Sequence, residues 1–238
     1  MNKMKLKEKE TKLSAHKLYP FNPPNTNSIE TYMDDIYYRE LENKKNVTGK
    51  DIIITGIRLV LDGLHKELGM DIDNENFRET PERVARAYLE ILSGEKNTQE
   101  QIEKILEKSF PSKYKGMVIG SDIKVYSVCP HHLLPVSYVV NVGYIPKEKV
   151  IGASKLARLV DILAKRAVLQ EDFTKDIADW LEEIEPQGII VQVKGQHLCM
   201  GCRGIKQPQS SIITSEIRGN FEDSDVKNEF ALLIKGNI

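Results

Sequence analysis

Cys129-Pro130-His131-His132 places three side chains able to bind a metal or move a proton within four residues. Far downstream, His197-Leu198-Cys199-Met200-Gly201-Cys202-Arg203 supplies another histidine and two more cysteines. The chain has only five histidines and three cysteines, and three of the former and all of the latter fall in these two segments. The cysteines are odd in number, and Cys199 and Cys202 lie too close together for an ordinary staple. They read as reduced thiols of a cytoplasmic chain rather than as a disulfide framework. Taken as ligands, Cys129, His132 and Cys199 combine thiolate and imidazole in a way that suits Zn²⁺ and leaves a fourth position for water. Such a water loses a proton near neutral pH and becomes a nucleophile. His131 and His197, left beside the ion, could donate and accept protons at working pH. Hydrolysis at an electrophilic carbon is the chemistry this set supports.

Two other readings of the same residues stay open. With Cys202 as a fourth ligand the site would be closed and structural, the mark of a zinc-stabilised scaffold or binding module. Alternatively the cysteines could be small buried hydrophobes and the histidines satisfied core residues, although two adjacent histidines plus a His-x-Cys weigh against that. An anion site is also suggested. Ser154-Lys155 at a helix start, with Arg158 a turn later, offers N–H groups, a hydroxyl and two cations to a phosphate. An ordinary cap followed by a solvated basic face would look the same. Arg203 follows Cys199 by four residues, so a metal at Cys199 would bring its guanidinium close. Glu171, beside Gln170 ahead of an apolar helix, could be a first-turn acid favoured by the helix dipole. Its carboxylate could equally accept two parallel hydrogen bonds from an amidine-like edge such as guanine N1 and N2.

These residues need a frame. The 238 residues allow one large domain or a domain with an appendage, and a 40% apolar fraction is enough for a substantial core. A formal net charge of −1 gives no global field toward nucleic acid or membrane, so neither is expected as a partner. No apolar run approaches the roughly 20 residues of a membrane span. Residues 1–48 are polar and carry Pro20, Pro23 and Pro24, a composition expected to form a flexible tail with at most a helical stretch near Ile29 to Leu41. Residues 49–110 read as helical: Ile53, Ile57, Val60, Leu61, Leu64 and Leu68 recur at helical spacing before Gly69, and Thr80-Pro81 opens a second helix carrying Arg83 and Arg86. In 111–238, segments at 117–119, 123–128 and 136–144 alternate like strands. Two helices follow, the first capped by Ser154, and then strands near 189–193 and after Gln209. Strand pair, helix pair, strand pair predicts an α+β fold with the helices on one face of an antiparallel sheet and the candidate ligands at strand ends.

Taken together the segments resemble GTP cyclohydrolase I of the zinc-dependent type. The matching stretches are Cys129-Pro130-His131-His132-Leu133-Leu134-Pro135, Tyr144-Ile145-Pro146, and Val150 through Arg158. Gln170-Glu171, His197-Leu198-Cys199-Met200 and Arg203-Gly204 follow in order, with Glu79-Thr80-Pro81-Glu82-Arg83-Val84-Ala85-Arg86 upstream. The resemblance covers roughly residues 50 to 235. It implies a tunnelling fold assembled through sheet edges into a ring, typically a decamer of two pentamers with active sites at subunit junctions. It also implies conversion of GTP to 7,8-dihydroneopterin triphosphate and formate. By resemblance Cys129, His132 and Cys199 are the Zn²⁺ ligands and Cys202 is a bystander. His197 protonates N7 of the purine as the ring opens at C8, and His131 assists proton transfer. Glu171 anchors guanine with Gln170 beside it. Ser154, Lys155, Arg158 and Arg203 bind the triphosphate, joined by Arg83 and Arg86 from a neighbouring subunit. One position departs from the family pattern: the residue after the first cysteine, usually Glu, is Pro130, which removes a carboxylate and a backbone N–H.

Overall fold

The computed structural model describes residues 46–235. The proposed tail and its helical stretch near Ile29 to Leu41 therefore lie almost wholly outside the described residues. The chain divides into two compact units, with the boundary between Glu82 and Arg83. In the first unit, helix α1 (Gly49–Leu68) begins at a capping box. Thr48 Oγ1 accepts from the Asp51 N–H while the Asp51 carboxylate accepts from the Thr48 N–H at 2.9 Å. It ends at Gly69, whose φ of 65° is the left-handed stop that a residue without Cβ adopts freely. Helix α2 (Thr80–Ile91) carries the boundary within it, and its Glu82 pairs with Arg58 at 3.2 Å.

The second unit holds the sheet. After α3 (Thr98–Leu106), β1 (Ser109–Pro111) pairs with β4 (Lys149–Ile151) in a two-stranded ribbon. The larger sheet joins β2 (Val118–Val128), β3 (Pro135–Ile145), β5 (Gly188–His197) and β6 (Ile212–Gly219) in that order, antiparallel throughout. Helices α4 (Ala153–Ala164) and α5 (Gln170–Glu182) come between the two strand pairs in sequence and pack on one face of this sheet. That order and pairing is the α+β tunnelling-fold plan.

The alternation read in β3 is what seats the helices. Val136, Tyr138, Val140, Val142 and Tyr144 are all buried toward Leu159, Leu163, Phe173, Ile177 and Leu181. Each such burial stabilises by about 1.5–3 kcal/mol, so the sheet–helix layer, rather than helix propensity, holds the frame. Ile102 and Leu106 of α3 belong to the same core.

Several local features depart from the pattern expected of the sequence. The two short segments before the first motif are one strand, β2, broken by an irregular register between Gly120 and Ile123. There Asp122 has φ 53° and donates its N–H to Asn141 Oδ1 at 2.9 Å. The cap of α4 is Gly152, not Ser154. Ser154 lies in the first turn, exposed, and Gly152 makes no side-chain cap bond. A short helix, α6 (Leu198–Gly201), follows β5 directly. The C-terminal α7 (Ser224–Ile234) covers part of the other sheet face, where Phe221 and Phe230 bury against Ile145 and Ile190.

Candidate metal and proton-transfer site

The loop joining β2 to β3 is Cys129 through Leu134. Its closing bonds run from the Cys129 N–H to Leu134 O and from the Leu133 N–H to Cys129 O, at 2.9 and 2.8 Å. Neither uses the backbone nitrogen of residue 130, so Pro130 fits the loop with its φ already set. Leu133 takes φ 52°, and Tyr88 of α2 donates its hydroxyl to Leu133 O at 3.3 Å. The loop thereby points Cys129 inward, 6% exposed, while His131 and His132 stay at the surface.

Cys199 arrives from the other strand pair, on the turn of helix that begins where β5 ends. Its Sγ lies 3.9 Å from Cys129 Sγ, and Cys129 Sγ is also 3.9 Å from Nδ1 of both His131 and His132. The donor atoms of Cys129, His132 and Cys199 all fall within 4.8 Å of one another. Two sulfurs at the usual 2.3 Å from a tetrahedral zinc would be about 3.8 Å apart. A disulfide would need about 2.05 Å. The donor chemistry and spacing therefore fit a shared soft cation. Burial, and then the adjoining Cys129 sulfur, push the Cys199 thiol upward in pKa. Tyr138 Oη is buried near Ser127, with no hydrogen bond of ordinary geometry among the described residues; burial and then Cys129 raise its pKa, against a smaller lowering by Ser127. Cys202 is exposed and falls outside the three-residue group.

His197, the last residue of β5, precedes Cys199 by two residues and pairs with Val136 of β3. Its Nε2 is 2.9 Å from Gln170 Oε1, and its ring meets Tyr138 edge-on with centroids 6.1 Å apart. Burial lowers its pKa below 6.5, with Glu171 acting weakly in the opposite direction. Gln170 is only 2% exposed, and its amide nitrogen is 3.1 Å from Val193 O, Ile212 O and Thr214 Oγ1. Expected beside guanine, this amide is instead turned into the protein, behind His197. Glu171, the next residue, is exposed at the start of α5.

The cationic residues separate into groups. Arg203 is exposed and close enough to Cys199 to lower that thiol's pKa slightly. Ser154 and Arg158 are exposed on α4. Lys155 differs from expectation: its ammonium donates to Ile105 O in the last turn of α3 and to Lys108 O just beyond it, at 2.5 and 2.6 Å. Burial, and then Lys108 and Arg158, hold its pKa below the usual lysine value. Arg83 and Arg86 lie exposed on α2, the helix whose Tyr88 braces the loop from Cys129 to Leu134. A cavity of about 380 Å³ opens beside His197 and Cys202, walled by Tyr126, Ser137, Leu198 and Pro208. Sequence pattern flagged Tyr138 only as an inward-facing strand residue. Nothing in it marked Thr214 or Gly195, whose places in the site are set by pairing between β5 and β6.

A ββααββ chain that gathers two thiols and an imidazole at its strand ends has the tunnelling-fold plan with a group of side chains that could hold a metal ion. The family model of GTP cyclohydrolase I matches residues 58–235. GTP cyclohydrolase 1 of Streptomyces coelicolor is 47% identical over 170 residues, covering 70% of this chain and 83% of that protein. The Clostridium perfringens (strain 13) protein of that name is 40% identical over 188 residues, 78% of this chain and 97% of its own. The one from Carboxydothermus hydrogenoformans is 40% identical over 190 residues, 79% and 95% respectively. This chain belongs to the GTP cyclohydrolase I family.

Proposed function

We propose that the protein hydrolyses GTP to 7,8-dihydroneopterin triphosphate and formate, with Cys129, His132 and Cys199 holding Zn²⁺. The observation that carries this reading is the meeting of those three donor atoms within 4.8 Å beside His197, in a chain of this family. When bound, the ion supplies the Lewis acidity that makes water a nucleophile at neutral pH. His197 gives a proton to N7 of the purine as its five-membered ring opens at C8. His131, exposed on the loop, relays protons to solvent. The Glu171 carboxylate accepts from N1–H and N2–H of guanine, a two-point match that adenine cannot make. Ser154, Arg158 and Arg203 hold the triphosphate. Lys155 adds positive charge from its seat on the end of α3, and Arg83 and Arg86 reach in from a neighbouring subunit.

In this reading 111–238 is the catalytic domain and 49–110 a helical region whose last helix packs into that domain's core. The assembly is a decamer with active sites between subunits. Supporting it, β2 and β6 end the described four-stranded sheet with unpaired outer edges, which ring formation would cover. Among the described residues no helix is long and apolar enough to cross a membrane. We place the protein in the cytoplasm, where a reducing poise keeps the paired thiols available as ligands. A scaffold role with four protein ligands is disfavoured by the exposed Cys202 outside the ligand group. The test is incubation of the zinc-loaded protein with GTP, followed by oxidation and detection of pterin fluorescence and formate. Equal amounts of both are expected, and their absence rejects the assignment.

A further inference from the structure

Gln170 is a polar side chain held almost wholly out of solvent, and every polar atom on it has a defined partner. Two of the three groups around its amide nitrogen are main-chain carbonyls, which can only accept. The end facing Val193 O and Ile212 O must therefore be the NH₂ end, and the end facing His197 must be the carbonyl. A carbonyl only accepts, so His197 Nε2 must carry the hydrogen in their 2.9 Å bond. That leaves Nδ1, for which the described residues supply no partner.

The surroundings hold this arrangement in place. Thr214 Oγ1, the third group at the Gln170 nitrogen, also lies 2.6 Å from Thr174 Oγ1. Thr174 in turn donates to Gln170 O at 2.7 Å. Gly195, two residues before His197 on β5, has no side chain. A Cβ there would overlap Gln170 Oε1 and come within 2.8 Å of the Tyr138 ring. Helix α5, strand β5 and strand β6 thus all contribute to fixing one amide orientation.

We propose that Gln170 is a positioning residue: it holds the His197 ring by Nε2–H, so that Nδ1 is the nitrogen exchanging a proton with substrate. In the forward step the imidazolium N–H bond at Nδ1 breaks and its proton bonds to the lone pair of the base nitrogen. The neutral imidazole left behind keeps its hydrogen on Nε2, in the bond to Gln170, and Nδ1 regains a proton from solvent. Gln170 acts through His197 and makes no contact with guanine; specificity for the base rests on Glu171. This inference depends on the GTP hydrolysis proposed above for the role of the proton, but not for the position of the hydrogen.

Two measurements test it. In Gln170→Met, a substitution close in volume without an acceptor, kcat falls about 100-fold, as expected when a reacting group loses its orientation. KM for GTP and zinc content stay within about twofold of wild type. A raised KM with unchanged kcat would make Gln170 a guanine contact and overturn the proposal, as would unchanged values of both. The second measurement needs no variant. In the intact wild-type protein labelled with ¹⁵N-histidine, two-bond ¹H–¹⁵N spectra of the neutral His197 ring show the hydrogen on Nε2; a hydrogen on Nδ1 overturns the proposal. It decides the matter if Gln170→Met does not fold. It also decides it if the zinc-loaded protein forms no pterin, in which case GTP hydrolysis fails separately.

Discussion

Cys129 and Cys199 come from different strand pairs, yet their sulfurs stand 3.9 Å apart, with the His132 imidazole at the same distance from one of them. Cys202 is outside that set, so Cys202→Ala should keep wild-type zinc content and turnover, while Cys199→Ala should lose both; metal analysis and the pterin assay read the difference. His197→Ala should retain zinc and lose about 10²- to 10⁴-fold in turnover, the range for removing a proton donor. Loss of the metal in that variant would mean that His197 is a ligand. The bunching of histidine and cysteine made these residues legible as a site. What the sequence did not reveal was which polar groups lie behind them. Gln170 sits next to Glu171 in the chain, but α5 begins at Gln170, and helical geometry sends its side chain inward while Glu171 faces solvent. Pro130 in turn needs no compensating change in the loop, because the loop-closing bonds start at Cys129 and Leu133.

Between elements, α5 is tied to the edge of the sheet by one guanidinium. Arg218 of β6 reaches Asp179 at 2.6 Å and Glu182 at 2.8 Å on α5, and Glu216 at 2.9 Å on its own strand. Burial would raise the Asp179 carboxyl, but hydrogen bonds from Lys175 and Arg218 outweigh it and hold the pKa below its usual value. A carboxylate so depressed contributes stability above its unfolded pKa, about 3.9, and loses that contribution as pH falls through the folded value. Asp179 and Glu182 are 41% and 56% exposed, so solvent screening limits the effect. Arg218→Met should cost about 1–2 kcal/mol at pH 7, with the gap to wild type narrowing below about pH 4. Thermal melts across that range check it, and a gap independent of pH would contradict it. The alternation of β3, the helical repeats and the Gly69 stop were readable because local pattern and tertiary burial agree there. The β2 irregularity and the seating of Lys155 on α3 were not, since each depends on a partner distant in sequence: Asn141 for Asp122, and Ile105 and Lys108 for Lys155. Helix α7 was missed because its apolar residues meet a small second cluster rather than the main core.

For the whole molecule, the family match begins at residue 58, and α1 is capped from Thr48. A chain starting at Asn46 should therefore turn over GTP at the full-length rate and sediment as the same assembly as the full-length chain. A smaller species or a lost rate would show that residues 1–45 take part in assembly. In the function proposed above, the activity as a whole depends on one ion held by two sulfurs and one imidazole with a ligand position left open. X-ray absorption at the zinc edge of the purified protein measures that arrangement directly. The account predicts one zinc per chain with two sulfurs at about 2.3 Å, one imidazole nitrogen at about 2.0 Å and one further light atom. A third sulfur in the shell, or no zinc bound by the intact protein, would contradict it.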